Sequence, residues 1–236
     1  MSTALRTVSR EEWTRARKAL LAKEKAFTAE RDALSAARRD LPVVKVEREY
    51  VFEEPAGKRT LLELFEGKRQ LIVYHFMFNP SWDEGCRGCS YVAETFDGAI
   101  PHLAARDTSF AAASRAPVAK IEAFKKRMGW GFRWLSSAGS DFNYDYKVSF
   151  RPEDGAPKAI EYNYGSRESS MSDLPGLSVF LREGRDVFHS YSTYERGLDL
   201  LIGAYNCLDL TPLGRQEAEL PQKMAWLRHH DRYEER

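Results

Sequence analysis

In "SREEWTRARKALLAKEKAFTAERDALSAARRDLP" the apolar residues Trp13, Leu20, Phe27 and Leu34 recur every seven positions among charged and small ones. That spacing predicts a long helix with one narrow apolar stripe. Ser9 and Glu12 have the spacing of a capping box at its start, and Pro42 closes its far end. Such an arm lies across its own domain or pairs with another subunit, so a homodimer is one expectation. The second seam position is too weak to specify a full coiled coil.

From Val43 the period changes. "VVKVEREYVF" alternates roughly, "EEPAGKRT" supplies a turn, and "LIVYHFMF" is an apolar run of the kind found in a central strand buried on both faces. Helical spacing follows in "CSYVAETFDGAIPHLAAR", with a kink or break expected at Pro101. "TSFAAAS" reads as a strand. "APVAKIEAFKKRMG" reads as a helix with Pro117 in its first turn and Gly129 just past its end, and "FRWLSS" as another brief strand. Between Gly139 and Tyr164 we expect an excursion around "DYKVSF", a turn at "RPEDGAP" and a return through "AIEYNY". "GLSVFLREGRDVFHSYSTY" is a β-hairpin pattern, "GLDLLIGAYNCLDL" a helix, and "PQKMAWLRHH" a helical patch in a polar tail. The order predicts an α/β sandwich with a mixed sheet. It divides into a helical arm at 1–42, a main domain at 43–215 and a helical tail at 216–236.

Charge narrows the partners. Lys and Arg number 36 against 35 Asp and Glu, a net charge of +1, so nothing draws the chain toward nucleic acid or anionic lipid. The longest apolar run, Leu71 to Phe78, is under half the length of a membrane-spanning helix, and the first residues have no apolar signal-peptide stretch. These features suggest a cytoplasmic protein, where paired cysteines are more often catalytic or metal-binding than structural.

The candidate chemistry lies in "YHFMFNPSWDEGCRGCSYVAETF". Cys86 falls where a strand ends and a helix begins. Unpaired N–H groups of the first helical turn and the helix dipole favour a thiolate there, and Arg87 adds positive potential. Cys89 is one turn on, on the same helical face and close enough to form a disulfide. Three readings stand: a redox dithiol, a metal site completed by His75 or His189, and two buried thiols without a role. Cys207 reads as an inert core thiol, His75 as a core histidine rather than an acid–base partner, His189 as either, and His102, His229 and His230 as surface residues. Arg115, expected at the carboxyl end of the strand beside the cysteine strand, is a candidate to charge or shape the site. Trp82, Trp130 and Trp134 line a pocket or fill the core.

The cysteine region, with Pro175 and its following hairpin, resembles the thioredoxin-like superfamily. More closely, "YHFMFNPSWDEGCRGCS", "SRAPVAKIEAFKKRMGW", "SSAGSDFNYDY", "VFHSYSTYERG" and "LDLTPLGR" resemble the bacterial DUF899 family from about residue 40 to Arg215. The resemblance implies a thioredoxin-like fold of peroxiredoxin-like layout: a mixed central sheet flanked by helices, carrying the N-terminal arm. It also implies a dithiol–disulfide oxidoreductase. Pro175 would be a cis-proline opposite the dithiol, and Leu174 would offer backbone groups to a bound disulfide. Such an enzyme needs no cofactor; its partners are a protein or small-molecule disulfide and an external thiol reductant. Thioredoxin resembles W-C-G-P-C, whereas here Trp82 precedes Cys86 by four residues and the central dipeptide is Arg87-Gly88. Where peroxiredoxins carry the threonine of P-x-x-x-T-x-x-C, Asp83 stands, so a thiol peroxidase is the lesser alternative.

Overall fold

The computed structural model describes residues 5–151 and 157–234, and the chain divides into two compact units, 1–42 and 43–236. The turn expected at "RPEDGAP" falls on 152–156, outside the described residues. In the first unit, α1 runs Arg10–Arg39. Ser9 caps it by accepting the Glu12 N–H at 3.1 Å. The return half of the capping box is replaced, because the Glu12 carboxylate pairs with Arg6 at 2.7 Å.

The second unit begins with β1 (Val44–Lys45), β2 (Val51–Glu54) and β3 (Gly57–Thr60). Then come β4 (Gln70–His75), α2 (Arg87–Ala93), α3 (Phe96–Ala104), β5 (Thr108–Ser114), α4 (Val118–Arg127) and β6 (Trp134–Ser136). The later elements are α5 (Phe142–Asp145), β7 (Lys158–Tyr162), β8 (Gly165–Ser169), β9 (Gly176–Glu183), β10 (Asp186–Tyr194) and α6 (Gly203–Leu208). The main sheet has the order β1-β10-β9-β4-β5-β6-β2-β3. β4, β5 and β6 run parallel, joined by helical crossovers, while β9 is antiparallel to β4 and β10 to β9. The run β10-β9-β4-β5, with its parallel pair and antiparallel hairpin, gives the chain a thioredoxin-like fold.

Strand alternation separates two cores. Tyr74, Phe110 and Ala112 join Phe76, Phe78, Phe124 and Trp134 on one face. Leu71, Val73, Ala111, Ala113 and Phe180 join Phe52, Leu135 and Phe142 on the other. Trp130 and Trp134 are therefore core residues.

Several expected elements are corrected. The helix after the cysteines breaks at Glu94–Thr95, with Pro101 inside α3. Thr95 Oγ1 bonds the Val92 carbonyl at 3.1 Å and the Leu201 carbonyl at 3.0 Å, which ends the first segment. The 139–164 excursion contains the short α5, and "AIEYNY" pairs with the unforeseen β8 in a separate two-stranded sheet. The helix expected from Gly197 begins instead as a 3-10 segment, Glu195–Leu201, before α6. The "PQKMAWLRHH" patch is turns rather than helix. There the Glu217 carboxylate gathers the Tyr205 hydroxyl and Trp226 indole, each at 2.6 Å, and the Met224 N–H at 3.0 Å. One acceptor with three donors from different turns holds the tail in a non-helical path.

Candidate active site

The segment between β4 and α2 is pinned along its length. Asn79 Oδ1 accepts the Ser81 N–H at 2.9 Å, closing a local turn. Lys120 donates to the Pro80 carbonyl at 2.9 Å and the Trp82 carbonyl at 2.8 Å, and the Cys86 N–H reaches the Met77 carbonyl at 3.0 Å. Gly85 is required by space: a Cβ there would come within 2.7 Å of Phe76 and 2.9 Å of Phe124. The chain thus enters α2 with Cys86 as its N-terminal cap residue.

The two sulfurs have opposite environments. Cys86 is partly exposed and Cys89 is buried, both as free thiols. The Cys86 thiol is lowered to about 6, first by a hydrogen bond from the Cys89 thiol. Burial opposes this, but the Cys89 and Gly88 backbone N–H groups and the charge of Arg87 also favour the anion. Cys89 is pushed well above its ordinary value by burial and by its neighbour sulfur. One thiol is therefore prepared to ionise near neutrality while the other keeps its proton and donates it. Beneath them lies the fully buried ring of Tyr74, part of the same cluster as Cys89.

A family model described as "Bacterial protein of unknown function (DUF899)" matches residues 2–233. The chain belongs to the DUF899 family. Among solved structures it is similar to a peroxiredoxin Q mutant from Xanthomonas campestris, at 14% identity and TM-score 0.48, covering 71% of this chain and 98% of that one. It is likewise similar to peroxidoxin BcpB from Mycobacterium tuberculosis, at 16% identity and TM-score 0.46, covering 71% and 97%. No curated protein matches the sequence. The fold assignment of this DUF899 protein rests on its own strand order.

Of the expected site residues, Trp82 and Arg87 share the Cys86 segment. Trp82 is half-buried against the core, and the exposed Arg87 donates to the Leu227 carbonyl at 3.1 Å. Arg115 takes a different part. Its guanidinium is held by Asp173 at 2.8 and 2.6 Å and by the Tyr144 hydroxyl at 3.1 Å, which makes it an anchor. Burial would raise the Asp173 carboxyl, but Arg115, Ser149 and Asn79 more than offset it and hold the group below its usual range. Asn79 donates to Asp173 at 2.9 Å, so this knot ties the cysteine segment to the chain leading into β9.

The proline expectation is corrected. No peptide bond among the described residues is cis, so Pro175 follows a trans bond. The Leu174 N–H is taken by the Val148 carbonyl at 2.9 Å, and the Pro175 carbonyl by the Tyr162 hydroxyl at 2.6 Å. These bonds hold the segment extended and occupy groups expected to meet a substrate.

The histidine readings divide: His75 is a buried core histidine as expected, and His229 is not on the surface. His75 and His189 join no metal site: among the described residues no group of three or more His, Cys, Asp or Glu could hold an ion. His75 Nε2 meets Ser178 Oγ at 2.8 Å, Ser178 meets Ser192 at 2.8 Å, and Ser192 meets His189 Nε2 at 2.7 Å. His229, expected on the surface, is 1% exposed and donates from Nε2 to the Gly85 carbonyl at 3.0 Å. Cys207, expected in the core, is exposed on α6, whose inward residue is Tyr205. A sequence reading missed Tyr74, Asn79, Asp173 and His229. Only the Tyr74 position was inferable, from its two-residue offset to Phe76 in an apolar strand.

No helix among the described residues is long and apolar enough to cross a membrane.

Proposed function

We propose that this DUF899 protein is a thiol–disulfide oxidoreductase with Cys86 as nucleophile and Cys89 as resolving thiol. The observation that carries the reading is the asymmetry of the pair: a partly exposed sulfur lowered to about 6 beside a buried thiol that donates to it. A thiolate at neutral pH attacks one sulfur of a substrate disulfide, forming a mixed disulfide and releasing the first thiol. Cys89 then attacks Cys86, closing the Cys86–Cys89 bond and releasing the second thiol. Two electrons and two protons pass from the dithiol to the substrate, and an external thiol reductant resets the pair. Trp82 and Arg87 are the side chains such a substrate meets on approach, and Leu174 and Pro175 form the segment tied to theirs through Asp173 and Asn79.

The test is reduction of a small-molecule disulfide by purified protein. Cys86→Ser should lose essentially all exchange, by roughly a thousandfold or more against the thiolate it replaces. Cys89→Ser should retain the first attack and accumulate a mixed disulfide visible as a mass increment. A wild type that neither reduces the disulfide nor changes its thiol count contradicts the proposal. Consumption of peroxide that depends on Cys86 but not Cys89 would favour a thiol peroxidase instead.

A further inference from the structure

Tyr74 is 0% exposed on β4, its ring set edge-on to Phe76 and Phe96 with centroids 6.0 and 5.1 Å away. Its hydroxyl is buried and has no partner at full hydrogen-bond geometry. A buried hydroxyl left unpaired costs free energy, and Phe would fill the same space without that cost. Tyr74 and Cys89 belong to one buried cluster. Burial, then the Cys89 charge and a hydrogen bond between the two side chains push Tyr74 up, while that bond opposes the rise of Cys89. The Met77 N–H also points at the Cys89 sulfur, at 3.4 Å. In the resting protein Cys89 is a thiol that donates toward Cys86, and a neutral thiol is a weak acceptor. A thiolate there would accept strongly from both groups.

We propose that the Tyr74 hydroxyl is a preset donor for the Cys89 thiolate, weakly engaged in the resting protein and fully engaged when Cys89 attacks the mixed disulfide. This rests on the exchange reading above and deepens it. In that step the Cys89 sulfur bonds to Cys86 Sγ, the bond from Cys86 to the substrate sulfur breaks, and its electron pair leaves with the substrate. The proton given up by Cys89 ends on the departing thiolate. Tyr74 keeps its own proton and acts only as donor, because burial opposes phenolate formation. A donor weak to the thiol and strong to the thiolate raises the fraction ready to attack, and only part of that gain is lost to the lower nucleophilicity of a more acidic thiol. It also answers a difficulty of the pair: burial protects Cys89 from outside reagents but disfavours the anion its chemistry needs.

The experiment uses dithiobis(nitrobenzoate) with the full chain in excess, in a Cys207→Ser background that removes the exposed third thiol, following release of the coloured thiolate. The first equivalent reports attack by Cys86 and the second reports resolution by Cys89. In Tyr74→Phe the first phase should stay within about twofold of wild type. The second should slow by roughly tenfold to a hundredfold at pH 7, the weight of a hydrogen bond to a charged group. Its rise with pH should move to higher pH, which a packing defect would not cause. The reduced variant should melt within a few degrees of wild type, because only a weakly paired hydroxyl has been removed. A second phase unchanged in rate and pH profile overturns the assignment, as does a variant that melts lower and slows equally in both phases. A wild type that releases a single equivalent overturns the exchange reading itself, and this assignment with it.

Discussion

Tyr74 and His75 are neighbours on β4, yet alternation sends them to opposite faces of the sheet and into opposite kinds of polar burial. On the Tyr74 face the two cysteine sulfurs and the Tyr74 hydroxyl are set among aromatic rings, and one of those sulfurs reaches solvent. On the His75 face four side chains from three strands close a chain of hydrogen bonds, His75–Ser178–Ser192–His189. Burial lowers His75 to about 3 and lowers His189 as well, so both rings are neutral at physiological pH. His75 also lies flat against Phe142 and Tyr146. The second face closes a hydrogen-bonded chain that leaves His75 Nδ1 unpaired, whereas the first face holds a nucleophile with room to react. Burial with a perturbed pKa marks both faces. Only an anion favoured at neutral pH and open to solvent marks the reactive one. A recess of about 450 Å³ lined by Tyr50, Tyr146, Tyr162, Tyr164 and His189 is bordered by neither cysteine.

The comparison breaks most severely at the anchor of the cysteine segment. Arg115→Leu leaves the Asp173 carboxylate buried without its guanidinium, which should cost about 3–5 kcal/mol in chemical denaturation. It should also loosen the cysteine segment through Asn79. A loss below about 1 kcal/mol would mean that the knot anchors nothing. Ser178→Ala interrupts the histidine chain and should cost about 1–3 kcal/mol while leaving the disulfide-exchange rate at its wild-type value. A slowed exchange in a well-folded Ser178→Ala protein would show that the two faces are coupled.

Acid separates them more gently. A histidine held neutral by burial has a folded pKa below its unfolded value, so the stability it supports is present above about pH 6.5 and is lost as pH falls toward about 3. Asp173, held below its ordinary 3.8, adds to the loss further down. Melting temperature should therefore decline through this range, and less steeply in His75→Asn than in wild type. Equal slopes would place the acid sensitivity elsewhere.

Much of this division was legible in the sequence where long elements carried it. The apolar run ending at Phe78, the hairpin around Gly184 and the strand-to-helix position of Cys86 each follow from local pattern, and the structure has them. Gly184 has φ +60 at the tight turn, where glycine is the residue of choice. What escaped was held by distant partners. The four-residue α5 and five-residue β8 are too short to carry a period. The tail follows Glu217 rather than its own helical spacing, and His229 is buried because it meets Gly85, far away in sequence. Arg115 was legible as a residue near the site, but its role depends on Asp173, which no local pattern links to it. For Tyr74, alternation gives the shared face with Phe76 but not that the cysteines lie beneath it.

The central claim is that Cys86 is a thiolate near neutral pH because Cys89 and the first turn of α2 donate to it. Its most direct test is the rate of Cys86 alkylation by iodoacetamide as a function of pH, in a Cys207→Ser background that removes the exposed third thiol. A single rise with a midpoint at about 6, moving upward in Cys89→Ala, is the predicted result. A midpoint near the ordinary thiol value of about 8.5, unaffected by Cys89→Ala, would contradict it.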